Sequence, residues 1–204
     1  MTAAPALLNG LVLAGGASRR MGHDKAAVQY HGKPQVEWAR ELLARHCAEV
    51  YVSIRADQQD DPLRRSCPAV VDRHEGLGPI AGIAAAQAHA PDRAWLVLAC
   101  DLPFVTDECV RLLVAHRDGR PVVAFRSTHD GLPEPLCAIY EPASRMGIAQ
   151  AISSGSHCPR KFVIRSGVAL LEQPVATVLD NVNTPDELAQ ARASLASAHD
   201  GARS

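Results

Sequence analysis

The sequence Gly10-Leu-Val-Leu-Ala-Gly-Gly-Ala-Ser-Arg-Arg-Met-Gly-His-Asp-Lys25 joins a short apolar run to a segment rich in glycine and basic residues. The run from Gly10 to Ala14 is continuously apolar, which is typical of a strand buried on both faces of a parallel sheet. Gly15 and Gly16 follow it, and glycine lets backbone N–H groups approach a ligand without an intervening Cβ. We therefore predict a strand followed by a phosphate-binding loop.

The basic side chains of this segment fit the same chemistry. Arg19, Arg20 and Lys25 supply positive charge for a polyanion. Two well-known phosphate loops do not fit, since Gly22 is followed by His-Asp-Lys rather than Lys-Ser or Lys-Thr, and the pattern G-x-G-x-x-G is absent. A solvated loop whose glycines only turn the chain is the alternative. The order Gly-Gly, Arg-Arg and Gly-x-Asp-Lys after an apolar strand favours the phosphate site.

Further along the chain, short apolar runs alternate with helical patterns. The predicted strands are Gly10–Ala14, Val50–Ile54, Ala69–Val71, Ala94–Ala99, Pro121–Phe125, Leu136–Tyr140 and Val175–Leu179. The predicted helices are Pro34–Cys47, Gly78–Ala90, Thr106–His116, Ala143–Ser153 and a last helix from Thr184 toward Ala196. Alternating strands and helices predict an α/β fold, in which helices cover both faces of a mostly parallel sheet.

Two of these helices carry capping signals at their starts. Thr106 is placed as an N-cap, and Val105 and Val110 are spaced as a hydrophobic staple around it. Thr184 and Glu187 form a capping box, with Pro at the first helical position between them. These signals fix where the two helices begin.

Length and composition restrict the class of protein. The 204 residues fit one domain, with residues 1–8 and 198–204 expected as flexible tails. A net charge of -1 argues against a strongly basic nucleic-acid binder. No apolar run is long enough for a membrane helix, and Met1–Asn9 lacks the charge pattern of a secretory signal. The six cysteines form no C-x-x-C pair, which indicates reduced thiols in a cytoplasmic protein.

Two aspartates follow predicted strands. Parallel sheets bind ligands at the carboxyl ends of their strands, so Asp101, after Ala94–Ala99, is a candidate magnesium ligand. An Asp that caps the turn before Pro103 is the alternative. Asp72 is a candidate contact to a base or ribose, or else a surface turn residue. The segment Gly78–Gly82 places a helix N-terminus near a nucleotide, or else packs a helix closely on the sheet.

Four segments together resemble the molybdenum cofactor guanylyltransferases, which are Rossmann-like nucleotidyltransferases. The segments are Leu13–Lys25, Gly78-Pro-Ile-Ala-Gly-Ile83, Cys100-Asp-Leu-Pro-Phe104 and Asn181-Val-Asn-Thr-Pro-Asp186. The resemblance covers nearly the whole globular chain, in order and spacing. It implies transfer of GMP from GTP to molybdenum-bound molybdopterin with release of pyrophosphate.

The resemblance also implies roles for residues at the matching positions. Lys25, Arg20 and Asp101 are expected to act in catalysis, with Asp101 as ligand of Mg²⁺. Ser53 stands where related enzymes often carry Asn for nucleotide contact. Molybdoenzymes or their chaperones are the expected recipients of the product. The expected nucleotide-binding residues are Leu13, Ala14, Gly15, Gly16, Arg19, Lys25, Ser53, Asp72, Gly78, Pro79, Gly82, Asp101 and Asn183.

Two alternatives remain at this point. Related cytidylyltransferases typically read LAAG where this chain reads LAGG, so Gly15 favours guanine over cytosine. Another nucleotidyltransferase of the same fold belongs to the same alternative. A non-catalytic molybdopterin carrier or chaperone is the other one, and the presence of both Lys25 and Asp101 favours an enzyme over it.

Overall fold

The computed structural model describes residues 5–15, 24–65, 67–72, 74 and 76–201. The strands in this part of the chain are β1 (Leu8–Leu13), β2 (Val50–Arg55), β3 (Ala69–Asp72), β4 (Ala94–Ala99), β5 (Val122–Arg126), β6 (Pro133–Tyr140) and β7 (Ala169–Leu171). The α-helices are α1 (Gln35–Ala44), α2 (Pro62–Arg65), α3 (Pro79–His89), α4 (Asp107–Ala115), α5 (Arg145–Ser153), α6 (Pro159–Arg165) and α7 (Pro185–Gly201). Single 3₁₀ turns lie at Ala56–Gln58 and Pro142–Ser144.

These strands form one sheet in the order β3-β2-β1-β4-β6-β5-β7. Strand β6 runs antiparallel to β4 and β5, and the other neighbouring pairs are parallel. The prediction of an α/β fold with a mostly parallel sheet is confirmed. All strands except β6 therefore end at the same edge of the sheet, which is where such folds bind their ligands.

Side chains of the central strands alternate between two apolar layers. In β4, Leu96 and Leu98 pack into the layer that also contains residues of α1 and α4. Trp95 and Val97 pack into the opposite layer, with residues of α3, α5 and α6. Each β4 side chain is buried, which explains why its sequence is apolar without alternation.

The predicted capping signals are confirmed at both helix starts. Thr106 Oγ1 accepts a hydrogen bond from the N–H of Cys109, and Val105 and Val110 are both buried. At the start of α7, the N–H of Glu187 donates to the side chain of the N-cap threonine, and the Glu187 carboxylate accepts from that residue's N–H in return. Local sequence therefore determines where these helices begin.

The predicted strand at Val175–Leu179 is wrong. The last strand of the sheet is β7 at Ala169–Leu171, and Val175–Leu179 forms a turn in which the N–H of Val178 donates to the carbonyl of Val175. Val175 is 59% exposed, while Val178 and Leu179 are buried. An apolar run can thus be buried by a turn that packs on the core, which periodicity alone does not distinguish from a strand.

Several element boundaries also differ from the predictions. Helices α2 and α6 were not predicted, because neither four nor seven residues provide a clear helical period. Helix α1 ends at Ala44 rather than at Cys47, and α7 extends past Ala196 to Gly201. Leu8 already belongs to β1. No helix in the described ranges is long and apolar enough to cross a membrane.

Candidate active site

The carboxyl ends of β3, β2, β1 and β4 lie side by side at one edge of the sheet. The register pairs Leu13 of β1 with Ser53 of β2 and with Ala99 of β4, and it pairs Arg55 of β2 with Asp72 of β3. The predicted nucleotide-binding residues at strand ends are therefore neighbours in space. The sheet itself sets their spacing.

Lys25 lies beside the end of β4 at this edge. Its Nζ donates to Oδ2 of Asp101 at 3.1 Å and to Oδ1 of Asn183 at 2.5 Å. The side chains of Lys25 and Asp101 are each 22% exposed, so their ion pair is accessible to a ligand. Three residues that were predicted separately, from distant parts of the sequence, are thus in direct contact.

The segment that carries Asn183 is fixed by backbone hydrogen bonds. The N–H of Val182 donates to the carbonyl of Asp101 at 2.9 Å. One oxygen of the Glu187 carboxylate accepts the N–H groups of Asn183 at 2.7 Å and Thr184 at 3.0 Å. The hydrogen bond from Asn183 is the main reason why the pKa of Glu187 lies below its usual value. The α7 capping box therefore orients Asn183 toward Lys25.

Replacing Glu187 by Ala removes the acceptor of two N–H groups, and we expect slower turnover and a lower melting temperature. A lost N-cap interaction costs about 0.5–2 kcal/mol of stability, and kcat is expected to fall about fivefold to tenfold because Asn183 is less well fixed. Asp186→Ala is the matched control, since it removes a carboxylate from the same helical turn. Equal effects on kcat in the two variants would show that only negative charge at this helix end matters.

On the other side of β1, Ser53 and Gly82 pack against each other. A Cβ at Gly82 would lie 2.5 Å from Ser53 Oγ and 3.0 Å from a methyl carbon of Leu13, so α3 needs glycine there to approach the sheet. Ser53 is 4% exposed beneath this helix. Gly82 thus serves close helix–sheet packing, and the nucleotide contacts of both residues stay predictions.

Asp72 and the start of α3 lie at the β3 end of the site. Asp72 is half-buried, and its Oδ1 accepts the N–H of His74 at 2.8 Å, which is the geometry of an Asx turn. Gly78 has φ of 70°, in the left-handed region that favours glycine, and Pro79 begins the helix without a side-chain cap. The first turn of α3 can therefore direct its positive dipole end toward an anionic ligand.

Tyr30 lies near Asp101 and Glu187, and the sequence patterns did not indicate it. Burial, together with the negative charges of Asp101 and Glu187, raises the pKa of Tyr30 to about 12. Its phenol therefore stays protonated at neutral pH and can donate a hydrogen bond. Burial also raises the pKa of the Cys100 thiol, which makes this cysteine unreactive.

Two arginines from other elements contact the beginning of the glycine-rich segment. Arg55 Nη1 donates to the carbonyl of Gly15 at 2.6 Å, and Arg64 Nη2 donates to the carbonyl of Ala14 at 2.8 Å. Neither was predicted, because nothing local distinguishes them among the many arginines of this chain. The predicted residues Gly16, Arg19 and Arg20 lie outside the described residues.

The residues around Lys25 fit a magnesium ion. Asp101 and Asn183 present oxygen atoms, which Mg²⁺ prefers, and both already face a cation. In the described ranges, no three or more His, Cys, Asp or Glu side chains form a group that could hold a metal. The Asp101 carboxylate with the Asn183 amide oxygen still suits Mg²⁺, because this ion is usually bound by one or two carboxylates together with substrate phosphates.

The fold and the charged residues at this edge are those of an α/β protein that binds its ligand at the carboxyl ends of parallel strands. Residues 10–170 match the model of the MobA-like NTP transferase domain, so the chain belongs to this family of nucleotidyltransferases.

Its relatives are named for molybdenum cofactor synthesis. The chain is 31% identical to the molybdenum cofactor guanylyltransferase of Cereibacter sphaeroides, over 92% of this chain and 97% of the relative. It is 35% identical to a molybdenum cofactor biosynthesis bifunctional protein of Synechocystis, over 90% of this chain but only 53% of that longer protein.

A solved structure with a similar fold also carries a name from molybdenum cofactor synthesis. The crystal structure of molybdopterin-guanine dinucleotide biosynthesis protein A from Archaeoglobus fulgidus superimposes with a TM-score of 0.76 at 28% identity. The superposition covers 93% of this chain and 99% of the other. The predicted nucleotidyltransferase fold is confirmed.

Proposed function

We propose that this protein transfers GMP from GTP to the phosphate of molybdenum-bound molybdopterin and releases pyrophosphate. The observation that carries the proposal is the contact of Lys25 with Asp101 and Asn183 at the end of the glycine-rich segment. The names of relatives at 31% identity over nearly their whole length support the choice of substrates. The product would then pass to molybdoenzymes or their chaperones.

In this reaction, a phosphate oxygen of molybdopterin attacks the α-phosphorus of GTP. A new P–O bond forms, the bond between the α-phosphorus and the bridging oxygen breaks, and pyrophosphate leaves with the electron pair. The attacking oxygen is already an anion, so the enzyme needs no strong general base. Catalysis then depends on positioning and on charge stabilisation.

The chain supplies these two effects through residues at the sheet edge. The Lys25 ammonium, fixed by two oxygen acceptors, neutralises negative charge on the triphosphate. The Tyr30 phenol, whose pKa is raised by burial and by nearby negative charges, stays protonated near Asp101. Asp101 and Asn183 would hold Mg²⁺, which when bound stabilises charge on the phosphates as a Lewis acid.

GTP is expected to bind more tightly than CTP. One or two hydrogen bonds to the base, each contributing about 0.5–1.5 kcal/mol, give an expected preference between about twofold and about 150-fold. Calorimetric titration of both nucleotides with Mg²⁺ measures it. Equal or tighter binding of CTP would contradict the guanine assignment.

A Gly15→Ala variant tests whether the first loop glycine contributes to this preference. A Cβ at Gly15 would be 3.6 Å from the nearest atom, the carbonyl oxygen of Ser53, which is ordinary van der Waals contact. The variant should therefore fold with an unchanged melting temperature, and its ratio of GTP to CTP affinity should fall. An unchanged ratio would move base selection to other residues.

The non-catalytic carrier is the less favoured alternative. Phosphoryl transfer uses cations to neutralise charge on the phosphates, and the Lys25 ammonium fixed between two oxygen acceptors is suited to this, which favours an enzyme. Binding of molybdopterin without pyrophosphate release from GTP would favour the carrier.

A further inference from the structure

Arg64 places a buried positive charge beneath the glycine-rich segment. It belongs to α2, outside every motif that the sequence suggested, and its side chain is only 1% exposed. Its guanidinium donates to both carboxylate oxygens of Asp24, at 2.7 and 2.8 Å. It also donates to the carbonyl of Ala14 at 2.8 Å and to the carboxylate of Asp61 at 3.0 Å. One side chain thus joins three separate segments.

Two of these contacts lie at opposite ends of the phosphate-binding segment. Ala14 directly follows β1, and Asp24 directly precedes Lys25. The Asp24 carboxylate also accepts the N–H of Ala26 at 3.1 Å, so it shapes the turn that carries Lys25. A change at Arg64 therefore reaches Lys25 through a single intermediate residue.

Simple space filling does not explain an arginine at this place. A buried cation loses its hydration, and an apolar side chain of similar volume often stabilises a fold as well or better. Burial acts to lower the pKa of Arg64, but Asp24 and Asp61 together raise it above its ordinary value. A planar guanidinium can bind a carboxylate through two parallel hydrogen bonds and still reach a backbone carbonyl, which a lysine ammonium does not reproduce.

We infer that Arg64 is a positioning residue of the nucleotide site, which holds the two ends of the glycine-rich segment together and thereby sets the place of Lys25. This inference rests on the proposed binding of GTP. Arg64 acts through Ala14 and Asp24 and touches no substrate itself. Its loss should therefore weaken nucleotide binding and slow turnover without changing the affinity for molybdopterin.

The two carboxylates that pair with Arg64 provide matched variants. Asp24→Asn and Asp61→Asn each remove one of the two carboxylate charges that pair with the Arg64 guanidinium, but only Asp24 belongs to the phosphate-binding segment. Asp61 instead accepts N–H groups at the start of α2, where Asn is an equally good cap. Arg64→Lys is the third variant, because it keeps the charge and loses the two-pronged geometry.

The experiment measures GTP affinity by calorimetry, kcat, KM for each substrate and the melting temperature. Asp24→Asn and Arg64→Lys are expected to raise the Kd and KM for GTP about tenfold and to lower kcat, with KM for molybdopterin unchanged. The variant with both Asp24→Asn and Arg64→Lys should have a Kd for GTP no higher than that of the weaker-binding single variant, because both changes disrupt the same contact between Arg64 and Asp24. Asp61→Asn should keep wild-type kinetics.

Two results would overturn the inference. One is wild-type GTP affinity in Asp24→Asn, which also decides the matter if Arg64→Lys fails to fold. The other is an equal kinetic loss in Asp61→Asn, which would mean that Arg64 only anchors α2. Failure of the proposed function is distinct, because it would appear in the wild-type protein as absent transfer of GMP to molybdopterin. If the wild-type protein also did not bind GTP, both proposals would fall.

Discussion

Replacing Asp101 by Asn is expected to leave the protein folded and to remove most of its turnover. The variant keeps the size of the side chain and the backbone carbonyl that binds Val182, but it loses the charge that pairs with Lys25. A lost charge-assisted contact costs roughly 1.5–3 kcal/mol, or about tenfold to a hundredfold in rate. The Mg²⁺ concentration for half-maximal activity should rise, because a neutral amide binds the ion less tightly than a carboxylate does.

A magnesium titration of activity, with thermal melts as control, checks this prediction. The melting temperature should change little, since a partly exposed ion pair contributes only about 0–1 kcal/mol. If Asp101 only caps the turn before Pro103, Asn would replace it nearly as well. Wild-type turnover together with an unchanged magnesium midpoint would therefore assign Asp101 a structural role.

Lys25→Ala is expected to reduce kcat/KM for GTP by about tenfold to a hundredfold, because it removes the ammonium that we propose as the contact to the phosphates. The effect should be much larger than that of Lys33→Ala. Lys33 lies eight residues further on and binds both carboxylate oxygens of Glu41 on the surface of α1. The two variants therefore remove the same charged group from nearby positions in the sequence.

Steady-state kinetics with varied GTP compares the two lysine variants. Lys33→Ala should behave as wild type, since exposed ion pairs contribute little. Indistinguishable kinetics for Lys25→Ala and Lys33→Ala would exclude Lys25 from the site. A loss in Lys25→Ala that is accompanied by a large drop in melting temperature would instead indicate damage to the fold.

The fold could be predicted wherever local patterns agree with the tertiary structure. Strand β4 is buried on both faces, so its apolar run is unambiguous. The start of α7 is fixed by residues within one turn of each other. The strand predicted at Val175–Leu179 was wrong because a turn buries apolar residues of this run. The last strand of the sheet, Ala169–Leu171, has only three residues. The antiparallel direction of β6 was not predicted, although Asp130-Gly131 is a turn signal between β5 and β6 and Gly131 has φ of 72°.

Some residues of the candidate site could also be predicted from the sequence, and others could not. Asp101 could be proposed because it follows a buried strand, and Asn183 because it lies in a segment that resembles a family motif. The structure brings both to Lys25. Arg64 could not, because its function depends on contacts with residues 40 and 50 positions away. Sequence motifs thus identify the candidate ligand-binding groups, whereas the residues that hold those groups in place emerge only from the packed structure.

The most direct test of the account follows the α-phosphate of GTP. The protein is incubated with Mg²⁺, molybdenum-bound molybdopterin and GTP labelled at the α-phosphate, and both pterin-bound label and pyrophosphate are measured. We expect label to enter the pterin product in the same molar amount as pyrophosphate is released, and CTP to be a much poorer donor. Pyrophosphate release without labelled pterin, or equal labelling from CTP, would contradict the proposed guanylyl transfer.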